Sequence, residues 1–208
     1  MRHNLSDVSA LIKDRRSFAP EQLSARRVHR DVITEVLRAG TWAANHGMTQ
    51  PWRFTVFQGE GLEIIRKGLP EWYQIQMGRE GVVEKKLDKL RHRLDTCNCV
   101  IGIGMVPDVN QRISLQDEEW AVAGAVQNMH LMCTAYGLGA KWTTPKFMNL
   151  PQVKEAMGLP AEGKVMGLMY VGYPDRDWPG SYRWPLEFVT RWYDGLSEER
   201  PHEQRPSV

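Results

Sequence analysis

The chain reads as an α+β protein, and three observations carry that reading. β-Branched and aromatic runs at Phe54, Val56 and Phe57, at Val100-Ile101-Gly102-Ile103-Gly104 and over Lys164 to Val171 have strand character. Apolar residues at helical spacing surround them. Trp120 to Ala140 holds no charged residue and is apolar nearly all round, the signature of a helix buried in a protein interior. The expected arrangement is a central sheet, mixed or antiparallel, flanked by helices.

Val8, Leu11 and Ile12 open the chain on a helix that delivers Arg15, Arg16 and Ser17 at its end, and Pro20 breaks it. Val32, Ile33, Val36, Leu37 and Trp42 carry the same period through a second helix starting near residues 27–31 and ended by Gly40 or by Asn45-His46-Gly47. Pro51 fixes the chain before the first strand, read as central and closed by Gly59, and a short helix over 60–67 follows. Val83, Leu87, Leu90 and Leu94 step by four, three and four through mixed charges, so this segment is an amphipathic helix with a solvated face. No aromatic residues interleave its charges, which argues against nucleic acid.

The second strand spans Cys99 to Val106 and stops at Pro107. Its Gly102-x-Gly104 lacks the third glycine of a dinucleotide fingerprint, and the two glycines are expected to let the buried helix approach. Cys97 and Cys99 straddle Asn98, which in a strand puts both on one face. The long helix begins after Asp117-Glu118-Glu119, acids suited to its N-terminal end, and Gly137 and Gly139 end it. A short helix over 151–157 precedes the third strand, and the tail from about 197 to 208 is polar.

Composition narrows the function. The 208 residues fit a single domain with a real core. Lys plus Arg (27) nearly balances Asp plus Glu (25), and a net charge of +2 gives no reason to invoke nucleic acid or an anionic membrane. Three cysteines without framework spacing agree with structural thiols in a reducing cytoplasm, and two neighbouring ligands short of a metal site. Gln127, Asn128, His130 and Thr134 weaken the long uncharged stretch as a membrane span. Serine-hydrolase, zinc-hydrolase and Walker motifs are absent, and no acid/base pair stands out.

Two clusters remain. Arg15-Arg16-Ser17 places two permanently charged donors beside a hydroxyl, which suits a terminal phosphate, although an arginine pair also suits a solvated helix end. In Asn45-His46-Gly47-Met48-Thr49-Gln50-Pro51-Trp52, His46 and Gln50 offer donors and acceptors, and Gly47 lets backbone approach a ligand.

These clusters in this order, followed by Gly137-Leu138-Gly139-Ala140-Lys141-Trp142-Thr143-Thr144-Pro145, resemble the short, minimal type of the nitroreductase family, from about Leu11 to Phe188. The resemblance implies an FMN-dependent enzyme that takes hydride from NAD(P)H and passes it through flavin N5 to a nitroaromatic, quinone or similar acceptor by a ping-pong route. It implies a homodimer with the long helix at the interface, each flavin contacted by both chains, and cap helices over about 70–95. It puts Arg15, Arg16 and Ser17 at the phosphate and ribityl chain, His46 and Gln50 on a loop meeting the flavin, and Lys141, Trp142, Thr143 and Thr144 on a loop against the ring and N5. Arg183 matches an arginine near the phosphate, and equally suits a surface arginine; Lys141 also suits a turn cap and His46 a helix end. The chain departs from the family at Phe18-Ala19-Pro20, which lacks a phosphate-side base, at Trp42, often an arginine, and at Ala44, often a proline. Trp42 is expected to stack or pack near the cofactor. Two alternatives stay open: a specialised FMN oxidase, dehydrogenase or reductive dehalogenase of the same fold, and a flavin-binding protein without turnover.

Overall fold

The computed structural model describes residues 3–110 and 112–193; the polar tail expected from about 197 lies outside them. Contacts divide the chain into one unit up to Trp178 and a shorter one from Pro179 onward. In the larger unit six helices, α1 (Leu5–Asp14), α2 (Arg30–Thr41), α3 (Leu62–Gly81), α4 (Glu84–Arg91), α5 (Leu115–Ala135) and α6 (Pro151–Ala156), accompany four strands. The strands are β1 (Trp52–Gln58), β2 (Cys99–Met105), β3 (Gly139–Thr143) and β4 (Lys164–Gly172), in spatial order β1-β2-β4-β3 with every pair antiparallel.

Period-two alternation along β2 and β4 gives the sheet two apolar faces. Phe57, Val100, Leu168 and Tyr170 join a cluster with Ile65, Leu69 and Trp72 of α3, Leu87 and Leu90 of α4, and Val153 of α6. Ile101, Ile103, Met169 and Val171 join the opposite cluster with Ile33 and Val36 of α2 and Ala121, Val122, Ala125 and Met129 of α5. The result is three layers with β2 and β4 in the middle, and β2 is buried along its whole length.

Several local expectations shift. β1 is an outer strand, because Arg53 and Phe54 to Val56 stay at least partly exposed and only Trp52 and Phe57 are buried. The helix expected to stop near 67 runs on as α3 through Pro70, held by the burial of Leu69, Trp72 and Tyr73, which outweighs the missing N–H. Cys97 precedes β2 rather than lying in it. Its thiol donates to the Cys99 and Val171 carbonyls within the first cluster, while Cys99 faces the second. Gly102 and Gly104 face Met157 and Leu159 on the α6 side, not α5, because the odd-numbered residues of β2 take the α5 face.

α5 starts at Leu115 because the Ser114 hydroxyl accepts the Asp117 N–H at 3.1 Å. It ends in a Schellman turn: Leu138 N–H donates to Cys133 O, Gly137 N–H to Thr134 O, and Gly137 sits at φ 66°. Among the described residues only one face of α5 is buried. Trp120 and Gln127 are exposed, and Ala123, Gly124, Asn128 and Leu131 are half-buried. No helix among the described residues is long and apolar enough to cross a membrane.

Gly167, at φ 132°, lets β4 pass under β3. A Cβ there would collide with the Thr143 carbonyl and lie 2.6 Å from Trp142 Nε1. Gly167→Ala is expected to lower stability by about 2–3 kcal/mol, read from the urea midpoint at unchanged slope.

Candidate active site

The first cluster is built where α1 hands over to the sheet edge. α1 is capped by Asn4, whose Oδ1 accepts the Ser6 N–H, and ends with the Asp14 carbonyl accepting from the Trp178 indole at 2.6 Å. Arg15 Nη1 donates to Ser17 Oγ at 3.3 Å. Arg16 Nη1 folds back on the Arg15 carbonyl at 2.9 Å and on that of Lys13, so it also satisfies helix-end carbonyls. Ser17 then bridges Ala140 in parallel, and Phe18 N–H donates to Ala140 O at 3.1 Å. The bridge puts Ser17 at Ala140, the residue before Lys141; because it is parallel, Arg15 and Arg16 run back toward the Leu138-Gly139 end of β3 while Lys141, Trp142, Thr143 and Thr144 lead away from it.

The second of these groups is an edge strand where a loop was expected: Lys141, Trp142 and Thr143 pair with Tyr170, Met169 and Leu168. Trp142 Nε1 donates to Met166 O at 3.0 Å and Thr143 Oγ1 to Leu168 O at 3.4 Å, so both side chains bind within the sheet. Thr144 is exposed, and the side chain of half-buried Lys141 makes no hydrogen bond or ion pair among the described residues.

The loop after α2 is held in an unusual backbone path. Gly47, Met48 and Gln50 all take positive φ (60°, 55° and 47°), the latter two without glycine's freedom. Asn45 Oδ1 accepts the Gln50 N–H at 3.0 Å, and Arg53 Nη1 donates to Gln50 O at 3.0 Å, which fixes the turn. His46 Nδ1 lies 3.3 Å from Asp117 Oδ2 in the first turn of α5. Between this loop and α5 lies a cleft of about 510 Å³ whose lining includes Trp42, His46, Asp117 and Trp120. Trp42 and Trp120 are 86% and 62% exposed and stand at its sides.

The two groups are not brought together within one chain. His46 meets α5 at Asp117, whereas Arg15 acts electrostatically on His130. Thirteen residues of α-helix separate those contacts by about 20 Å at a 1.5 Å rise. Arg183 lies in the smaller unit, where its Nη1 donates to Ser181 Oγ at 2.6 Å and to Tyr182 O at 2.7 Å.

Residues 12–173 match the Nitroreductase family. The chain belongs to the nitroreductase family. Its relatives include the Escherichia coli (strain K12) protein named "Putative NAD(P)H nitroreductase YdjA", 29% identical over 168 residues, covering 81% of this chain and 88% of that one. Mouse iodotyrosine deiodinase 1 is 26% identical over 191 residues, covering 85% of this chain and 65% of that protein. The FMN and NADPH-dependent nitroreductase NfnB of Sphigopyxis sp. strain HMH has the same fold, with a TM-score of 0.72 at 18% identity, over 90% of this chain and 99% of that one.

Sequence reasoning missed Asp117, Trp120 and His130 as members of this nitroreductase's candidate site. Asp117 is 71 positions from His46, and only the packing of the loop on α5 pairs them. His130 is 7% exposed, and its Nδ1 has no hydrogen-bond partner among the described residues. Burial first, and the Arg15 charge second, push its pKa down from 6.5 to about 4. Burial likewise raises the thiols, Cys97 to about 11, Cys133 to about 12 and Cys99 higher still, so none is a thiolate nucleophile at neutral pH.

Because the folded form of His130 titrates below the unfolded one, only the unfolded chain takes the proton between about pH 6.5 and pH 4. The stabilisation present above pH 6.5 is lost as pH falls through that window, by up to about 3 kcal/mol. His130→Leu is expected to flatten this decline in denaturant midpoints measured from pH 7 to pH 4.

Proposed function

We propose that this nitroreductase-family chain is an FMN-dependent NAD(P)H oxidoreductase acting as a homodimer, with a flavin held between the two copies. The observation that carries the reading is the donor set. Two guanidiniums and a hydroxyl are stitched to the sheet edge, and a backbone-strained loop bearing His46 and Gln50 stands about 20 Å away along α5. A group with an anionic tail and a long flat ring fits donors divided in this way when a second copy supplies the other half. The partly exposed face of α5 and the exposed Leu5, Val8 and Ile12 of α1 provide an apolar surface for that copy.

Arg15, Arg16 and Ser17 would hold the phosphate and ribityl chain by charge-assisted bonds. His46 and Gln50, with Trp42 beside them, would meet the ring from the partner copy. Lys141 is half-buried at the sheet edge, and its ammonium suits the ring edge where negative charge collects on reduction. Trp142 and Thr143 would shape the slot through their bonds to β4, and Thr144 would offer its exposed hydroxyl. When bound, FMN would supply the two-electron chemistry, hydride transfer through flavin N5 from NAD(P)H to a nitroaromatic, quinone or similar acceptor by a ping-pong route. The protein's task is to bind, orient and exclude water. NfnB, which shares the fold, is named for dependence on FMN and NADPH. Buried free thiols and near-neutral charge suit a cytoplasmic enzyme acting on small molecules, with neither nucleic acid nor membrane as partner.

The similarity to iodotyrosine deiodinase favours a second reading, a reductive dehalogenase of the same fold. Rapid bleaching of the bound flavin by NADH or NADPH selects the first reading, and indifference to both selects the second.

Purified protein is expected to be yellow. Arg15→Ala and Arg16→Ala are each expected to weaken FMN affinity about tenfold or more, the value of a hydrogen bond to a charged group. Flavin fluorescence during titration of the flavin-free protein measures this, and unchanged affinity removes that arginine from the site.

A further inference from the structure

We propose that Asp117 is a positioning residue for His46, and that His46 donates the proton that must accompany hydride transfer to the acceptor. The inference rests on the flavin reading above and assigns the proton, which that reading leaves to no group. It starts from the contact between His46 Nδ1 and Asp117 Oδ2 at 3.3 Å. An ionised carboxylate only accepts, so Nδ1 carries a hydrogen in both charge states of the ring, and Nε2 is the nitrogen that gains or loses the proton.

The setting suits a planar acceptor. His46 lines the cleft of about 510 Å³ together with Trp42 and Trp120, two exposed indoles able to contact a planar molecule. Ala43, Ala44, Ala121 and Gly124 keep the lining small, which leaves room for a ring. The 3.3 Å contact is a separation across the fold, made by packing the Asn45-to-Gln50 turn on the first turn of α5. The turn itself is braced by the Asn45 bond to the Gln50 N–H.

A quinone accepts one hydride, which is two electrons and one proton, from the flavin that NAD(P)H would have reduced; its ring becomes aromatic and both C=O double bonds become C–O single bonds, one oxygen carrying hydrogen and the other a negative charge. The product is neutral only when an oxygen gains a second proton. His46 supplies it from Nε2, returns to the neutral ring with hydrogen on Nδ1, and is recharged from water. Asp117 stabilises the charged ring and fixes its direction without itself exchanging a proton.

The test compares the FMN-loaded full chain with His46→Gln, Asp117→Ala and Asp117→Asn. Reoxidation of the reduced flavin is followed with two oxidants: benzoquinone, which needs a proton, and ferricyanide, which takes electrons alone. His46→Gln is expected to slow benzoquinone about a hundredfold more than it slows ferricyanide, within the range for a lost general acid. Asp117→Ala slows benzoquinone to a lesser degree, and Asp117→Asn, which keeps an acceptor for Nδ1–H but no charge, restores part of the rate. Nitrogen NMR of the imidazole shows the Nδ1–H form in the parent chain and loses that preference in Asp117→Ala, with or without flavin. Equal slowing of both oxidants, or of neither, overturns the proton assignment. An imidazole signal that ignores Asp117→Ala overturns the positioning role alone. Colourless protein that takes up no FMN overturns the flavin reading, and the proton transfer with it, while the imidazole signal still reports on the Asp117 contact.

Discussion

The arrangement of this nitroreductase depends on α5, which lies against one face of the sheet and, among the described residues, is covered on one side only. Its buried side, Ala121, Val122, Ala125, Val126, Met129 and Cys133, locks it to β2 and β4. The two ends then serve different groups. Asp117 near the start receives the loop carrying His46, and His130 near the end lies within the field of Arg15. A rigid rod of this length keeps the two sets of donors about 20 Å apart. A single chain therefore cannot close both around one small ring. In the proposed dimer a two-fold axis beside α5 would put the start of one helix near the end of the other, so the spacing that separates the groups within a chain is what unites them across two.

The same constraint explains what the sequence could reveal. α1, α2, α6 and the inner strands β2 and β4 are legible because each has a periodic apolar face and a breaker at its end: Pro20 after α1, Pro107 after β2, Gly172 ending β4. β3 is not legible. Five residues, Gly139 to Thr143, alternate too briefly to announce a strand, and they are extended because β4 offers them hydrogen bonds on one side and Phe18 on the other. Pro70 suggests a helix end that burial of Leu69 and Trp72 overrides. The glycines of β2 signal close approach correctly, but which face they serve depends on the phase of the strand against two different helices. In the candidate site, Arg15, Arg16 and Ser17 could be read from local composition, whereas Asp117 and His130 gain their meaning only from contact.

Strain marks the other half of the site. Met48 and Gln50 sit in the left-handed region at φ 55° and 47°, each at a cost of order 1–3 kcal/mol for a residue other than glycine. That cost is offset locally by the Asn45 side chain on the Gln50 N–H and by Arg53 on the Gln50 carbonyl. The bracing residues flank the turn in sequence, Asn45 before it and Arg53 in β1 after it, so the loop is anchored directly to the sheet it enters. Pro51 then hands it to β1 with φ already restricted. A turn that carries a penalty and is pinned at both ends presents His46 and Gln50 in one fixed pose, which is what oriented contact with a planar ligand requires.

Charge is arranged with similar economy at the opposite end of α5. The chain as a whole is nearly neutral, so an anion finds no broad field to follow. It meets a local one, where the Arg15-Arg16-Ser17 segment joins the sheet edge at Ala140, the residue before partly exposed Lys141. The nearby imidazole of His130 could have joined them as a cation, but burial and Arg15 keep it neutral down to about pH 4. A second buried cation there would repel the guanidinium and destabilise the helix packing on which the site rests. A neutral ring avoids that repulsion, and its Nδ1, without a partner among the described residues, remains able to accept or donate one hydrogen bond as its tautomer dictates. The positive potential therefore comes from groups that cannot lose their charge in the physiological range, and any anion held there stays bound on the same terms across it.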